Sequence, residues 1–111
     1  MKQNIRILTI VMLGVGLCFS ACARHPLTDS EFRGFCYTTI DRVRSCDTID
    51  ICNTFDSDAI SKKEPSRQAC INDCDAVYNR LYDSNLYVGC TPMLRSANDW
   101  CYKFCMDNYP N

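Results

Sequence analysis

The residues with the most chemistry to offer are ten cysteines in a chain of 111 residues. Two pairs repeat the pattern C-x3-C, at Cys70/Cys74 and at Cys101/Cys105. Side chains one helical turn apart share a face, so each pair presents two sulfurs to whatever packs against it. Two chemistries compete for them. As thiolates, the four sulfurs can hold zinc. Oxidised, they close two disulfides between facing helices. Cysteine at about one residue in eleven is the level that marks a disulfide scaffold in a short exported chain. No C-x-x-C, C-x-x-C-H or H-E-x-x-H pattern occurs. Bridges are therefore expected, with no metal and no cofactor.

Other chemistry is sparse. His25 is the sole histidine, and a Ser-His-Asp arrangement would have to be assembled around it. It sits beside a processing site and reads as a linker residue. Thirteen acidic residues form no paired-carboxylate motif; Asp73 and Asp75, flanking Cys74, read as a solvated helix face. The stretch from Asp56 fails as a calcium loop. Asp56 and Asp58 fill the first two ligand positions, but Ile60 replaces the third, no glycine follows, and Arg67 stands where the closing glutamate belongs. No lone cysteine is offered as a redox nucleophile. The expectation is that the chain is not an enzyme. Aromatic residues are the candidates for recognition: Tyr78 and Tyr82 one turn apart, Trp100 beside Cys101, and Tyr102, with Tyr87 and Tyr109 nearby. Tyr and Trp are favoured at protein interfaces; the alternative is that they pad a small core poor in Leu and Ile.

The balance of charge narrows the partners. Twelve basic and thirteen acidic residues give a net charge of −1, which argues against nucleic-acid binding through clustered cations. A hydrophobic content of 47% argues against disorder, and the length allows one small domain and no repeat array.

The N-terminal stretch reads as an export address. Lys2 and Arg6 precede an uncharged run from Ile7 to Phe19. Thirteen residues are too few to cross a bilayer core, which takes about 20, and fit the apolar part of a signal peptide. Small residues follow in Phe19-Ser20-Ala21-Cys22-Ala23. Ala21-Cys22-Ala23 is an A-x-A site, cut after Ala23. Ser20-Ala21-Cys22 resembles a bacterial lipobox, which implies cleavage before Cys22 and a diacylglycerol thioether on it. Phe19 stands where lipoprotein signals favour Leu. Either cut leaves Cys36, Cys46, Cys52, Cys70, Cys74, Cys90, Cys101 and Cys105, an even set as closed bridging requires. The domain organisation expected is a signal peptide over 1–21, a tether over 22–27 and a disulfide-rich domain over 28–111. With Lys2 and Arg6 removed, ten basic residues face thirteen acidic ones, a net charge of −3, and no polybasic patch draws the domain to anionic lipid.

The domain reads as helices. Thr28-Asp29-Ser30-Glu31 is a capping box, and Phe32, Cys36, Ile40 and Val43 follow on one face, predicting a helix to Arg44 or Ser45. Cys46, Ile49 and Cys52 or Asn53 suggest a short second helix. Residues 56–64 are polar and read as a loop. Pro65 can open a third helix, with Cys70, Cys74, Val77, Tyr78 and Leu81 as its apolar stripe, ending near Asp83-Ser84-Asn85. Thr91-Pro92 caps and starts a fourth, carrying Leu94, Ala97, Cys101, Phe104 and Cys105 and ending before Pro110.

Helix direction decides how the C-x3-C pairs join. A parallel pair would need residues 84–91 to run back along about 24 Å of helix, and eight residues reach at most about 26–29 Å. Antiparallel helices are expected, giving Cys70–Cys105 and Cys74–Cys101. For the rest, a continuous first helix holds Cys36 and Cys46 about 15 Å apart, beyond the roughly 7 Å limit of a disulfide. Cys36–Cys52 with Cys46–Cys90 is favoured, and Cys36–Cys90 with Cys46–Cys52 stays open. Residues 70–105 resemble the twin C-x3-C helical hairpins, which include mitochondrial intermembrane-space chaperones and plant hairpin peptides. Here the gap between motifs holds 26 residues, longer than is usual there, and contains Cys90. The resemblance implies the hairpin geometry alone.

The resulting expectation is an all-α, disulfide-stapled domain with an antiparallel C-x3-C hairpin. It would be a non-enzymatic binding or structural module, exported and held at a bacterial cell envelope through lipid on Cys22, at the outer membrane or periplasmic face, with an unidentified protein partner possible. The alternative is a freely secreted signalling, toxin or inhibitor-like mini-protein.

Overall fold

The computed structural model describes residues 24–39, 46–85 and 89–110. Among them every regular element is helical: α1 Asp29–Thr38, α2 Thr48–Phe55, a π-helical turn Asp56–Ile60, α3 Arg67–Asn85 and α4 Thr91–Asn108. The expected all-α class and the antiparallel C-x3-C hairpin are both present. α3 and α4 make the most extensive pairing, and α1, α2 and the π turn pack around them.

α1 starts where the capping box places it. The Glu31 N–H donates to Thr28 Oγ1 at 3.3 Å, and the Thr28 N–H donates to the Glu31 carboxylate at 2.8 Å. Leu27 before the cap and Phe32 after it are both buried in the core, at the positions of a hydrophobic staple. The helix is shorter than its apolar stripe predicts. Thr39 is extended (φ −62°, ψ 111°) and ends it. The Thr38 hydroxyl donates to the Gly34 and Phe35 carbonyls, and that of Thr39 donates to the Phe35 carbonyl. Such bonds from β-branched hydroxyls compete with helix continuation. Ile40 and Val43, expected on the same face, lie outside the described residues.

α2 is a helix as expected, but with a different buried face. Asp47 caps it, accepting from the Asp50 N–H at 3.0 Å. Ile51, Cys52 and Phe55 are buried while Ile49 is 65% exposed. Residues 56–60 are not the polar loop their composition suggests. They form a π turn, with the Ser61 N–H donating to the Asp56 carbonyl at 2.8 Å. The wider turn buries Ala59 and Ile60 and leaves the intervening carboxylates outside. Asp56 pairs with Arg33 at 2.9 Å and Asp58 with Arg80, so the turn is clipped to α1 and α3. Exposed pairs of this kind contribute about 0–1 kcal/mol each; burial of Ile60 is the larger contribution, about 1.5–3 kcal/mol.

α3 begins at Arg67, not at Pro65, because Ser66 is its cap: the Ala69 N–H donates to Ser66 Oγ at 3.2 Å. α4 begins at Thr91 with Cys90 as its N-cap and Pro92 in the first turn, one residue earlier than Thr91-Pro92 suggests. Gly89 precedes the cap with φ 78°, a left-handed conformation that glycine adopts without steric cost. Antiparallel packing brings the start of α3 to the end of α4. There Arg67 donates to the carbonyls of Tyr109 at 2.9 Å and Met106 at 3.2 Å, which the helix leaves without internal partners.

Four disulfides cross this frame. Cys70–Cys105 and Cys74–Cys101 close the α3/α4 hairpin with Cα separations of 5.7 and 6.0 Å. Cys36–Cys52 joins α1 to α2 at 5.9 Å, and Cys46–Cys90 joins the segment before α2 to the cap of α4 at 5.4 Å. All lie in the range the bond tolerates. Of the eighteen buried apolar residues among those described, seven are half-cystines. The remainder, led by Phe32, Phe55, Ile51 and Leu94, is a modest core for a domain of this size. Bridges worth about 2–4 kcal/mol each make up the difference by restricting the unfolded chain.

Candidate interaction surface

The four aromatic residues singled out by type do not share one face. Trp100 and Tyr102 are two positions apart on α4, which turns their side chains about 200° from each other. Tyr102 faces α3, where its hydroxyl donates to the Asp75 carboxylate. That acceptor disfavours loss of the phenolic proton and holds the Tyr102 pKa above its ordinary value. Tyr78 and Tyr82 lie on α3 with ring centroids 5.7 Å apart, and Tyr78 packs against the core. Tyr78 and Tyr102 serve the hairpin at least as much as its surface, and Tyr82 meets Tyr78 on the same helix. Asp73 and Asp75 are not simply solvated: Asp73 takes Lys62 at 3.1 Å, and Asp75 takes Tyr102.

Trp100 faces the opposite way, towards α1. Its ring stacks on Phe35 with centroids 4.2 Å apart and planes within 7°. Phe35 is 42% exposed, so the stack has a covered inner edge and an open outer one. Residue type alone passed over Phe35, since it flanks the Phe32–Cys36 stripe. The useful signal would have been its position one turn after Glu31.

Beside the stack lies a groove of about 300 Å³. It is lined by Arg24, His25, Leu27, Glu31, Phe35, Lys103 and Asp107. Its floor is the chain entering the domain. The Leu27 N–H donates to Asp107 Oδ2 at 3.3 Å, and the Leu27 carbonyl accepts from Asn108 Nδ2 at 2.7 Å. With its side chain buried as well, Leu27 belongs to the folded domain and not to a tether. His25 is likewise engaged, 2.8 Å from Glu31. The expected tether over 22–27 therefore has its last residue fixed.

Glu31, Lys103 and Asp107 at the groove are all paired. Glu31 accepts from the Thr28 N–H, from His25 and from the Thr28 hydroxyl. These donors favour the carboxylate and lower its pKa to about 2. Lys103 reaches Asp107 at 2.6 Å and, with the Leu27 N–H, holds that carboxyl below its usual range. The surface combines an exposed aromatic edge with a rim of both signs. That composition suits an amphipathic boundary or a protein ligand.

Elsewhere, three sulfurs lie together: those of Cys70, Cys74 and Cys105 are within 4.8 Å of one another. Each belongs to a disulfide, so none carries the charge that a metal ligand needs. Persisting disulfides place the chain in an oxidising, exported environment. Among the described residues no helix is long and apolar enough to cross a membrane. Compared with known proteins, the chain matches no family model, no curated protein and no solved structure.

Proposed function

We propose that this chain is a non-enzymatic, exported lipoprotein: a disulfide-stapled helical module held at a bacterial cell envelope by lipid on Cys22. The observation that carries this reading is the lipobox-like Ser20-Ala21-Cys22 directly after the apolar run, and cysteine parity is compatible with it. All eight cysteines from Cys36 onward are consumed in four bridges, so Cys22 has no partner left within the described domain. A thioether on Cys22 removes the odd thiol, and Ser20-Ala21-Cys22 supplies a processing signal for it. With the lone histidine held by Glu31 and every cysteine of the fold bridged, the groove residues read as a binding surface and not as a reaction centre.

The second reading is a freely secreted mini-protein cut after Ala23. It is favoured by the A-x-A sequence and by Phe19 in place of the usual lipobox Leu. Feeding labelled fatty acid to the producing cell separates the two. A lipoprotein incorporates the label, fractionates with membranes and has a mass that starts at Cys22 plus acyl chains. The Cys22→Ser variant loses both label and membrane association. An unlabelled soluble chain beginning at Arg24 overturns the lipoprotein reading in favour of the secreted one.

A further inference from the structure

We infer that the groove and the Phe35/Trp100 stack form the face the domain lays on the lipid surface that carries its anchor. The inference rests on the lipoprotein reading and adds the orientation. It follows from chain length. Leu27 is fixed to α4 through both backbone groups, and it lies five positions from Cys22, a reach of at most about 18 Å. Arg24 already lines the groove, and two residues from Cys22 span at most about 7 Å. The headgroup layer on one side of a bilayer is itself about 5–8 Å thick. A lipid on Cys22 thus holds the groove within about one headgroup layer of the membrane. The domain cannot swing free on so short a lead, and the end bearing Arg24, the start of α1 and the last turns of α4 is the end that faces lipid.

The chemistry of that end fits the position. Trp and other amphipathic aromatics settle at the membrane–water boundary, where an apolar ring meets a wet polar layer. Trp100 and the open edge of Phe35 offer such a pair, and the mixed rim of Arg24, His25, Glu31, Lys103 and Asp107 can meet zwitterionic headgroups without a net field. Among the described residues, the other large exposed hydrophobic side chains, Tyr37 on α1, Ile49 on α2 and Met106 on α4, do not line this groove. A lipid surface is the occupant committed to here, because the anchor brings it within reach whatever else is present.

Trp100 is the only tryptophan, so the natural protein carries its own probe. The mature chain, purified from its membranes, is placed in phosphatidylcholine vesicles with or without brominated acyl chains. Intact mass taken first shows whether Cys22 bears lipid. Given lipid on Cys22, Trp100 emission is expected to shift to the blue in vesicles and to lose intensity with brominated lipid. The Cys22→Ser protein at the same concentration shows neither change. A lipid-bearing chain whose Trp100 is not quenched overturns the orientation while leaving the lipoprotein reading intact, and leaves the groove open to a protein ligand. A chain without lipid overturns the reading on which the orientation rests.

Discussion

Glu31 gathers three donors onto one carboxylate, and each comes from a residue within six positions of it. The T-x-x-E pattern was legible in the sequence because a capping box is purely local. His25 was not: its role depends on Leu27 docking, which turns the entering chain back across the start of α1. Leu27 is itself half-visible in hindsight, as the apolar residue just before the cap. The pH consequence follows from the sign of the shift. The folded pKa of Glu31, about 2, lies below its ordinary value of 4.5. Its stabilising contribution is therefore fully present above pH 4.5 and is lost as pH falls towards 2. Glu31→Gln should flatten the part of the acid-denaturation profile between those values, and an NMR titration of the Glu31 side chain should give a midpoint near 2. A midpoint at 4.5 would mean that the cap and His25 do not hold the carboxylate.

Among the elements, the hairpin was legible because two independent patterns agree on it. The C-x3-C pairs and the apolar stripes of α3 and α4 select the same faces, and a connection that would be nearly taut disfavours the parallel alternative. The first half was harder for specific reasons. Side-chain hydroxyls of Thr38 and Thr39 stop α1 several residues before the apolar pattern does, an effect that periodicity does not register. The case against joining Cys36 to Cys46 assumed a helix running through both, and α1 ends at Thr38. The pairing with Cys52 instead reflects where α2 packs. Residues 56–60 were misread because three polar residues outweigh Ala59 and Ile60 in composition, while a π turn aims just those two inward. If that turn is part of the core, Ile60→Ala should lower stability by about 2–4 kcal/mol in denaturant unfolding with disulfides intact. A loss below about 0.5 kcal/mol, usual for a surface change, would return the segment to a solvated loop.

For the whole molecule, bridges stand in for a larger core. Seven half-cystines occupy buried positions where a bigger domain would place Leu or Ile. The all-α architecture was legible from the capping box at Thr28 and from helical periodicity. The interaction surface was not, because it arises from tertiary placement: Phe35 of α1, Trp100 of α4 and the entering chain meet only after the helices pack. The aromatic set chosen by residue type divides between the two sides of α4, since neighbours two apart on a helix face opposite ways.

The measurement that bears most directly on this account is a thiol count on the mature protein from its native host. The chain is unfolded in denaturant and alkylated, once without reductant and once after reduction, and the bridged peptides are then mapped. Four closed disulfides predict no alkyl groups without reductant and eight after it, with Cys70 linked to Cys105, Cys74 to Cys101, Cys36 to Cys52 and Cys46 to Cys90. Labelling of Cys70, Cys74, Cys101 or Cys105 in the unreduced protein would contradict the stapled scaffold and return those thiols to metal or redox chemistry.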